Sequence, residues 1–552
     1  MIELSDTTNP QSLRGVGPYG PSGPEAKIQN PKSKITKSPW VRTVRLAKPT
    51  LQDNTADADR LISALKSDLQ TDAVHLDLDL VKRLPDLLRK CEYSVRCILF
   101  KDRHRWLVTG IAGVDDSRPF AGLAIDLGTT KIVLRLLDLS DGRTLGEAGF
   151  DNPQLAVGPD ILVRIHFAET FGGLERLNEL IIAGLNQAVE DLCRSCRIEP
   201  QDIYTVTVAG NTAMSHLFLG LDPRWIIREP YIPAINTPGI LKAVKLGLQL
   251  NVGARVFIFP NVGSYFGGDL IAGIFFAGLH KLPETAILVD VGTNAEVVLG
   301  NENWLIACAG AAGPALEGGM TKMGMVAGPG VVDRIAIDPD TLEFDLHTIE
   351  GEPPKGICGS GIIDLAAALF LSEMIDMRGK FVPAACGQHL KQIDSLAHLV
   401  VVPADKAATG SDLTISQADL DSLIRSKAAM YTILETITTS VGITLKDLSS
   451  FFVGGTFGSF IDPRAAIAIG MLPDLPLDSY KPLGNSSLEG AALALTSIDF
   501  LKEIDGLRDR ITYLELNVNQ EFMNRFSAAK FLPHTNASLF PSVHRVCSEA
   551  LK

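Results

Sequence analysis

Two strand–turn–strand units of one design, set far apart in the chain, constrain the fold more than any other sequence feature. The first is Ala121-Gly-Leu-Ala-Ile-Asp126-Leu-Gly128-Thr129-Thr130-Lys131, an apolar strand ending in a Gly/Thr turn. Ile132 to Asp138 follows as a second strand, and Asp141-Gly142 marks the next turn. The design recurs as Ala286-Ile-Leu-Val-Asp290-Val-Gly292-Thr293-Asn294, then Ala295 to Leu299, then a Gly300-Asn301 turn. A third element matches as well. Val206 to Asn211 and Phe451 to Thr456 are apolar strands that end in glycine, and each follows an amphipathic helix, Leu174 to Cys193 and Ser426 to Val441. An internal repeat of this kind predicts two similar α/β lobes, with Asp126 and Asp290 at equivalent points.

Asp-x-Gly-Thr at a strand–strand turn has a definite chemistry. Glycine lets the backbone approach a ligand, consecutive amides form a concave anion site, and threonine hydroxyls add donors for phosphate oxygens. A carboxylate just before the turn can hold Mg²⁺, usually through water. Two such turns, one per lobe, can grip a triphosphate from both sides of a cleft. The commoner phosphate, dinucleotide and zinc motifs (G-x-x-x-x-G-K-[ST], G-x-G-x-x-G after a strand, H-E-x-x-H) are absent.

Composition narrows the partners. Lys+Arg 51 against Asp+Glu 64 gives a net charge of -13, which disfavours nucleic acid and anionic lipid. No charge-free apolar run reaches membrane-spanning length, and the first residues lack the pattern of a secretory signal, so a cytoplasmic protein is expected. The most apolar stretch, Val256 to Leu279, is interrupted by Pro260, Asp269 and glycines and reads as buried α/β core. Of 8 cysteines only Cys193 and Cys196 form a CxxC, with no second pair, and ferredoxin spacings do not occur. A structural cysteine pair and no iron–sulfur cluster are expected.

Three segments follow along the chain. Residues 1–37, rich in Pro and Gly, read as a disordered leader. Residues 38–118 read as a small α+β domain: a strand near Trp40 to Leu46, a helix over Asp57 to Leu69 capped near Asp53 or Thr55, a second over Leu84 to Cys91, and strands Ser94 to Phe100 and Arg105 to Ile111. Residues 119–552 hold the two lobes.

These motifs resemble a known superfamily. Asp126 to Lys131 is similar to the first phosphate motif of the actin/hexokinase/heat-shock-chaperone ATPases, Asp290 to Asn294 to the second, and Val453-Gly454-Gly455-Thr456-Phe457-Gly458 to their adenosine motif. Within it the chain is similar to the reductive activators of corrinoid proteins. That resemblance rests on Asn152-Pro-Gln154, Gly158-Pro-Asp160, Arg164-Ile165, Gly210 to Met214, Asp290 to Glu296, Ala311 to Gly318, Gly356 to Gly361, Gly484 to Ala491, Pro533-His534 and Phe540-Pro541. It implies duplicated ribonuclease-H-like lobes behind a small α+β domain, and residues 40–118 are similar to the small middle domain of these activators.

The resemblance implies ATP-dependent reduction of a corrinoid protein from Co(II) to Co(I) in methyl-transfer metabolism. Asp126 and Asp290 are its expected catalytic and Mg²⁺ residues. Gly128, Thr129, Thr130, Lys131, Gly292, Thr293, Asn294, Gly313, Glu317, Gly454, Gly455 and Thr456 are its expected ATP ligands. Family members carry an iron–sulfur unit; with no cluster spacing here, the expected electron donor is an external ferredoxin-like protein. A homodimer is left open by the sequence. Lys131 reads equally as a phosphate ligand or a solvated edge lysine, and Glu317 as a nucleotide contact or a first-turn glutamate. Two other functions stand beside this one: a small-molecule kinase of the sugar-kinase type, with Asp160 as the one nameable base, and an activator of a radical dehydratase.

Overall fold

The computed structural model describes residues 38, 40–291, 295–310, 321–338, 341–455, 461–516 and 520–543. Residues from Ser38 onward form one unit. The expected leader, and the site residues Gly292, Thr293, Asn294, Gly313, Glu317 and Thr456, lie outside the described residues.

The chain first builds a four-stranded sheet in the order β1-β3-β4-β2, from β1 (Val41–Arg45), β2 (Val74–Leu76), β3 (Ser94–Asp102) and β4 (Arg105–Gly113). Helices Asp57–Leu69 and Leu84–Lys90 cover one face, burying Leu61, Leu65, Leu84 and Leu88 against Val95, Leu99 and Val108. The first helix has the expected limits but not the expected cap. Its N-cap is Ala56, and Asp53 instead holds Arg60 at 2.5 Å.

The two lobes repeat one sheet topology. In lobe 1, β5 (Ala121–Leu127), β6 (Lys131–Asp138) and β7 (Thr144–Asp151) are antiparallel neighbours. β8 (Ile203–Gly210) then pairs parallel with β5, and β10 (Arg255–Ile258) parallel with β8, while β9 (Ile240–Lys242) closes the edge. In lobe 2, β11 (Ala286–Val291), β12 (Ala295–Gly300) and β13 (Leu305–Gly310) repeat the antiparallel trio.

Between β13 and the rest of lobe 2 the chain inserts two small sheets, made of β14 (Val331–Ile337), β15 (Phe344–Thr348) and β16 (Gly356–Ile357), and of β17 (Leu390–Ile393), β18 (Leu396–Val402) and β19 (Leu413–Ser416). β20 (Ser450–Gly454) and β21 (Tyr480–Gly484) then supply the parallel pair, and β22 (Ile511–Tyr513) adds an edge beside β13. The central strands are apolar throughout because helices cover both faces, as parallel pairing requires.

The long helix of each lobe, Gly173–Cys196 and Gln417–Ser440, precedes its parallel strand as the repeat predicts. The second begins well before the sequence reading placed it. Ser416 and Asp419 form a reciprocal capping box that starts the helix before its apolar face becomes regular.

A helix follows the last core strand of each lobe: Gly268–Ala277 after β10, and Ser486–Thr496 after β21. These two pack directly on one another. A Cβ on Gly490 would stand 2.1 Å from the carbonyl oxygen of Ala272, so only glycine permits the approach. One apolar core runs through the contact and takes Trp40 and Phe100 from the small sheet, Ala124 and Phe257 from lobe 1, and Leu288 and Leu488 from lobe 2. Trp40 also donates its indole N–H to the Leu495 carbonyl at 2.5 Å.

Candidate active site

The paired helices bring four carboxylates to one place between the lobes. Asp126 ends β5, Asp290 ends β11, Glu296 lies on β12, and Asp269 opens the Gly268–Ala277 helix. Each is half-buried. Burial pushes the Asp290 carboxyl up to about 6, and the charge of Asp126 adds to this. Asp269 is pushed up to about 7, by burial first and then by Asp290 and Asp126. Asp126 and Glu296 are raised too, Glu296 by burial and by the charges of Asp290 and Asp269. Among the described residues, no lysine or arginine forms an ion pair with any of the four.

Asp126 is held across the lobe boundary. Asn485 Nδ2 and Ser487 Oγ, at the start of the lobe 2 helix, each donate to its carboxylate at 2.8 Å. These bonds oppose the effect of burial and favour the ionised form. Gly454 pairs with Asp290 in the parallel register, and Gly455, at φ +80, packs so closely that a Cβ would lie 2.7 Å from Asp290 Oδ1. The expected adenosine glycines therefore frame the second aspartate.

The first turn is braced from outside. A Cβ on Gly128 would meet the Lys131 carbonyl at 2.2 Å, so the turn closes only on glycine. Asn152 donates from Nδ2 to the Gly128 carbonyl at 2.9 Å and from its backbone N–H to the Thr130 carbonyl at 2.8 Å. Asn211 Nδ2 donates to Thr129 Oγ1 at 3.0 Å. The carbonyl edge of the turn is thus occupied. The amides of Gly128, Thr129 and Thr130 donate to no acceptor among the described residues, and three consecutive free amides are an anion site. Lys131 is exposed at the start of β6, and its side chain lies over Gly149 of β7.

The carboxylates suit a hard divalent cation, since Asp269, Asp290 and Glu296 are each raised in part by a neighbouring carboxylate and no cationic side chain among the described residues pairs with them. No group of three or more His, Cys, Asp or Glu among the described residues is placed to hold a bare metal ion. Mg²⁺ usually keeps several waters and is held by one or two carboxylates plus substrate phosphate.

Asp160, named above as the one possible kinase base, caps the Ile161–Ala168 helix, accepting from the Val163 N–H at 2.9 Å, and is exposed, while Arg164 is fully buried. Sequence reasoning missed two of these carboxylates, Asp269 and Glu296. Asp269 registered only as a break in an apolar run, although an aspartate after Gly267-Gly268 at a helix start was the available signal, and Glu296 only as the end of a motif. Cys193 and Cys196 end the Gly173–Cys196 helix as free thiols, and burial pushes Cys193 up to about 12.

Two lobes of repeated topology, with a braced Gly/Thr turn and opposed aspartates, define an actin/hexokinase-like ATPase domain. Comparison with known proteins makes this particular. Residues 284–544 match the family model of the C-terminal domain of RACo, the ASKHA domain, residues 121–282 the RACo middle region, and residues 31–117 the RACo linker region. The small sheet thus carries the family's linker name, and lobe 1 the middle name.

The corrinoid activation enzyme RamQ of Eubacterium limosum is 30% identical over 486 residues, 83% of this chain and 81% of that protein. The [Co(II) methylated amine-specific corrinoid protein] reductase of Methanosarcina barkeri is 23% identical over 438 residues, 73% of this chain and 75% of that protein. The solved structure titled reductive activator for corrinoid, iron-sulfur protein superposes with a TM-score of 0.82 at 37% identity, covering 92% of this chain and 81% of that one. The chain belongs to the RACo family of corrinoid-protein activators, enzymes with an ATPase-type domain.

Proposed function

We propose that this protein binds MgATP between its lobes and uses it to return a corrinoid protein from Co(II) to Co(I), with electrons from a separate iron–sulfur protein. The convergence of Asp126, Asp269, Asp290 and Glu296 from both lobes beside a turn of free amides is the observation that carries this reading. Asp126 and Asp290 hold Mg²⁺ through its waters, and Gly128, Thr129 and Thr130 take phosphate oxygens on their amides. Mg²⁺, when bound, neutralises charge on the carboxylates and phosphates. Asp269, poised near neutrality at a helix start, accepts the proton of the attacking water. Gly292, Thr293 and Asn294 serve as the second phosphate turn by their place in the repeat. Gly454 and Gly455 keep the Asp290 side open to the nucleotide, with Thr456, Gly313 and Glu317 completing its pocket.

ATP is needed because Co(I) is reached uphill: each ~59 mV of unfavourable one-electron potential costs tenfold in the equilibrium. Nucleotide can offset that only by making the complex bind the two cobalt states differently. The experiment mixes Co(II) corrinoid protein, this chain, MgATP and a low-potential iron–sulfur donor, and follows the Co(I) absorption. Co(I) should form only when all components are present. Equal Co(I) with and without ATP would refute the coupling.

No helix among the described residues is long and apolar enough to cross a membrane. A cytoplasmic site of action is proposed, in line with the low-potential chemistry.

A further inference from the structure

Arg164 is fully buried, yet among the described residues it pairs with no carboxylate. Its Nε donates to the Gly158 carbonyl at 2.9 Å, and its Nη1 donates to Gln154 Oε1 at 3.2 Å and to Met214 Sδ at 3.6 Å. Its Nη2 is buried without a protein partner. A guanidinium taken out of water without an anion is costly, and it persists only where its geometry serves something. Desolvation holds its pKa below the usual arginine value.

Every partner of Arg164 leads to the phosphate turn. Gln154 is itself fully buried, donates from Nε2 to the Leu177 carbonyl, and donates its backbone N–H to the capping side-chain oxygen of Asn152. Asn152, 1% exposed, is the residue that holds the Gly128 and Thr130 carbonyls. On the other branch, the Met214 sulfur faces both Arg164 and Asn152 Nδ2, and the Met214 N–H is capped by Asn211, which holds Thr129. Two paths therefore run from one buried guanidinium to the three residues whose amides are free.

We propose that Arg164 is a positioning residue for nucleotide phosphate: through Gln154, Asn152 and Met214 it fixes the Gly128–Thr130 turn with its carbonyls turned away from the cleft and its amides presented to the anion. Arg164 touches neither the turn nor the four carboxylates. Its effect falls on phosphate recognition and not on the nucleoside. The inference rests on the nucleotide reading above.

The test is calorimetric binding of MgATP and of adenosine to the full chain, wild type and variants, with thermal melts to confirm folding. In Arg164→Met the dissociation constant for MgATP should rise about tenfold or more, with adenosine affinity within about twofold of wild type. Asn152→Ala should do the same. Because Asn152 carries the bonds to the Gly128 and Thr130 carbonyls that Arg164 supports, the double variant should lose less than the product of the two single losses. Arg164→Lys cannot reach Gln154 and Gly158 together, so it should resemble Arg164→Met.

Unchanged MgATP affinity in folded Arg164→Met or Asn152→Ala would overturn the proposal. So would equal losses for MgATP and adenosine, or losses that multiply in the double variant. Should Arg164→Met not fold, Asn152→Ala and Arg164→Lys decide by the same criteria. A wild-type chain that binds no MgATP would overturn the nucleotide reading itself, which is a different result from a wild type that binds and a variant that binds equally.

Discussion

Asp290 and Asp269 are both half-buried acids, but they answer to different measurements. Asp290 has Asp126 as its charged neighbour and the Gly454–Gly455 backbone at its side, with no donor of its own among the described residues. Asp290→Asn keeps the shape and removes the charge that Mg²⁺ requires. Phosphate release should fall at least ~100-fold while the melting temperature changes little, since electrostatic stabilisation of phosphoryl transfer is lost but packing is not. Full turnover in this variant would remove Asp290 from the mechanism.

Burial, then the charges of Asp290 and Asp126, push the Asp269 carboxyl from the ordinary aspartate range up to about 7, so the folded state holds its proton more tightly than the unfolded chain. Its contribution is therefore neutral below about pH 4, turns unfavourable as pH rises toward 7, and stays so above. In the absence of Mg²⁺, Asp269→Asn should stabilise the protein at pH 8 by ~1–3 kcal/mol and leave it nearly unchanged at pH 4. Urea denaturation at the two pH values reads this directly, and stabilisation equal at both would contradict it.

At the scale of elements, the crossing of the Gly268–Ala277 and Ser486–Thr496 helices sets the site. The first places Asp269, the second places Asn485 and Ser487 on Asp126, and Glu489 ties the second helix to Arg135 of β6 at 2.8 and 2.9 Å. Thr207 of β8 adds a bond to the Ala491 carbonyl at 2.8 Å. Their separation depends on Gly490, where a methyl group would strike the backbone oxygen of Ala272. Gly490→Ala should cost about 3 kcal/mol by forcing two packed backbones apart, and it should weaken MgATP binding as well because Asp126 and Asp269 move with their helices. A variant with wild-type denaturation and wild-type affinity would show that the contact is not the pivot.

For the whole molecule, the C-terminal segment is a closing clamp on lobe 2. Lys427, fully buried on the long helix, donates to the carbonyls of Phe531 and Pro533 at 2.6 and 2.7 Å. His534 packs among Tyr431 and Phe540, and its Nδ1 accepts from the Asn536 N–H at 3.0 Å. Burial, then the nearby Lys427 charge, pushes His534 down to about 4. A histidine lowered in the fold binds its proton more weakly there than when unfolded. Stability is therefore intact above about pH 6.5 and lost as pH falls toward 4, by up to ~3 kcal/mol for this group. His534→Phe should flatten the dependence of stability between pH 7 and 5. An unchanged slope would assign the acid sensitivity elsewhere. The histidine is thus a buried residue of the segment that follows Pro533.

What the sequence determined by itself was whatever is local or repeated. The alternation and turn residues around Asp126 and Asp290 specified strand, turn and strand, because side-chain period and the φ demands of Gly-rich turns act within a few residues. The duplication then implied equivalent lobes, and the match of β7-β6-β5-β8-β10 with β13-β12-β11-β20-β21 follows that repeat. Asp126 and the Gly128 turn were legible for the same reason.

Asp269, Glu296, Asn485 and Ser487 were not legible as members of one site. Glu296 is the cross-strand partner of Asp290 in the β11–β12 hairpin, whereas Asp269, Asn485 and Ser487 come from two helices far apart in the chain, and none of these three carries a local signature of its neighbours. Only the packing of one lobe's helix on the other brings those three to Asp126. The place of Arg164 was not legible for the same reason. Which face of a helix is buried is decided by what packs against it, and here the arginine is turned inward.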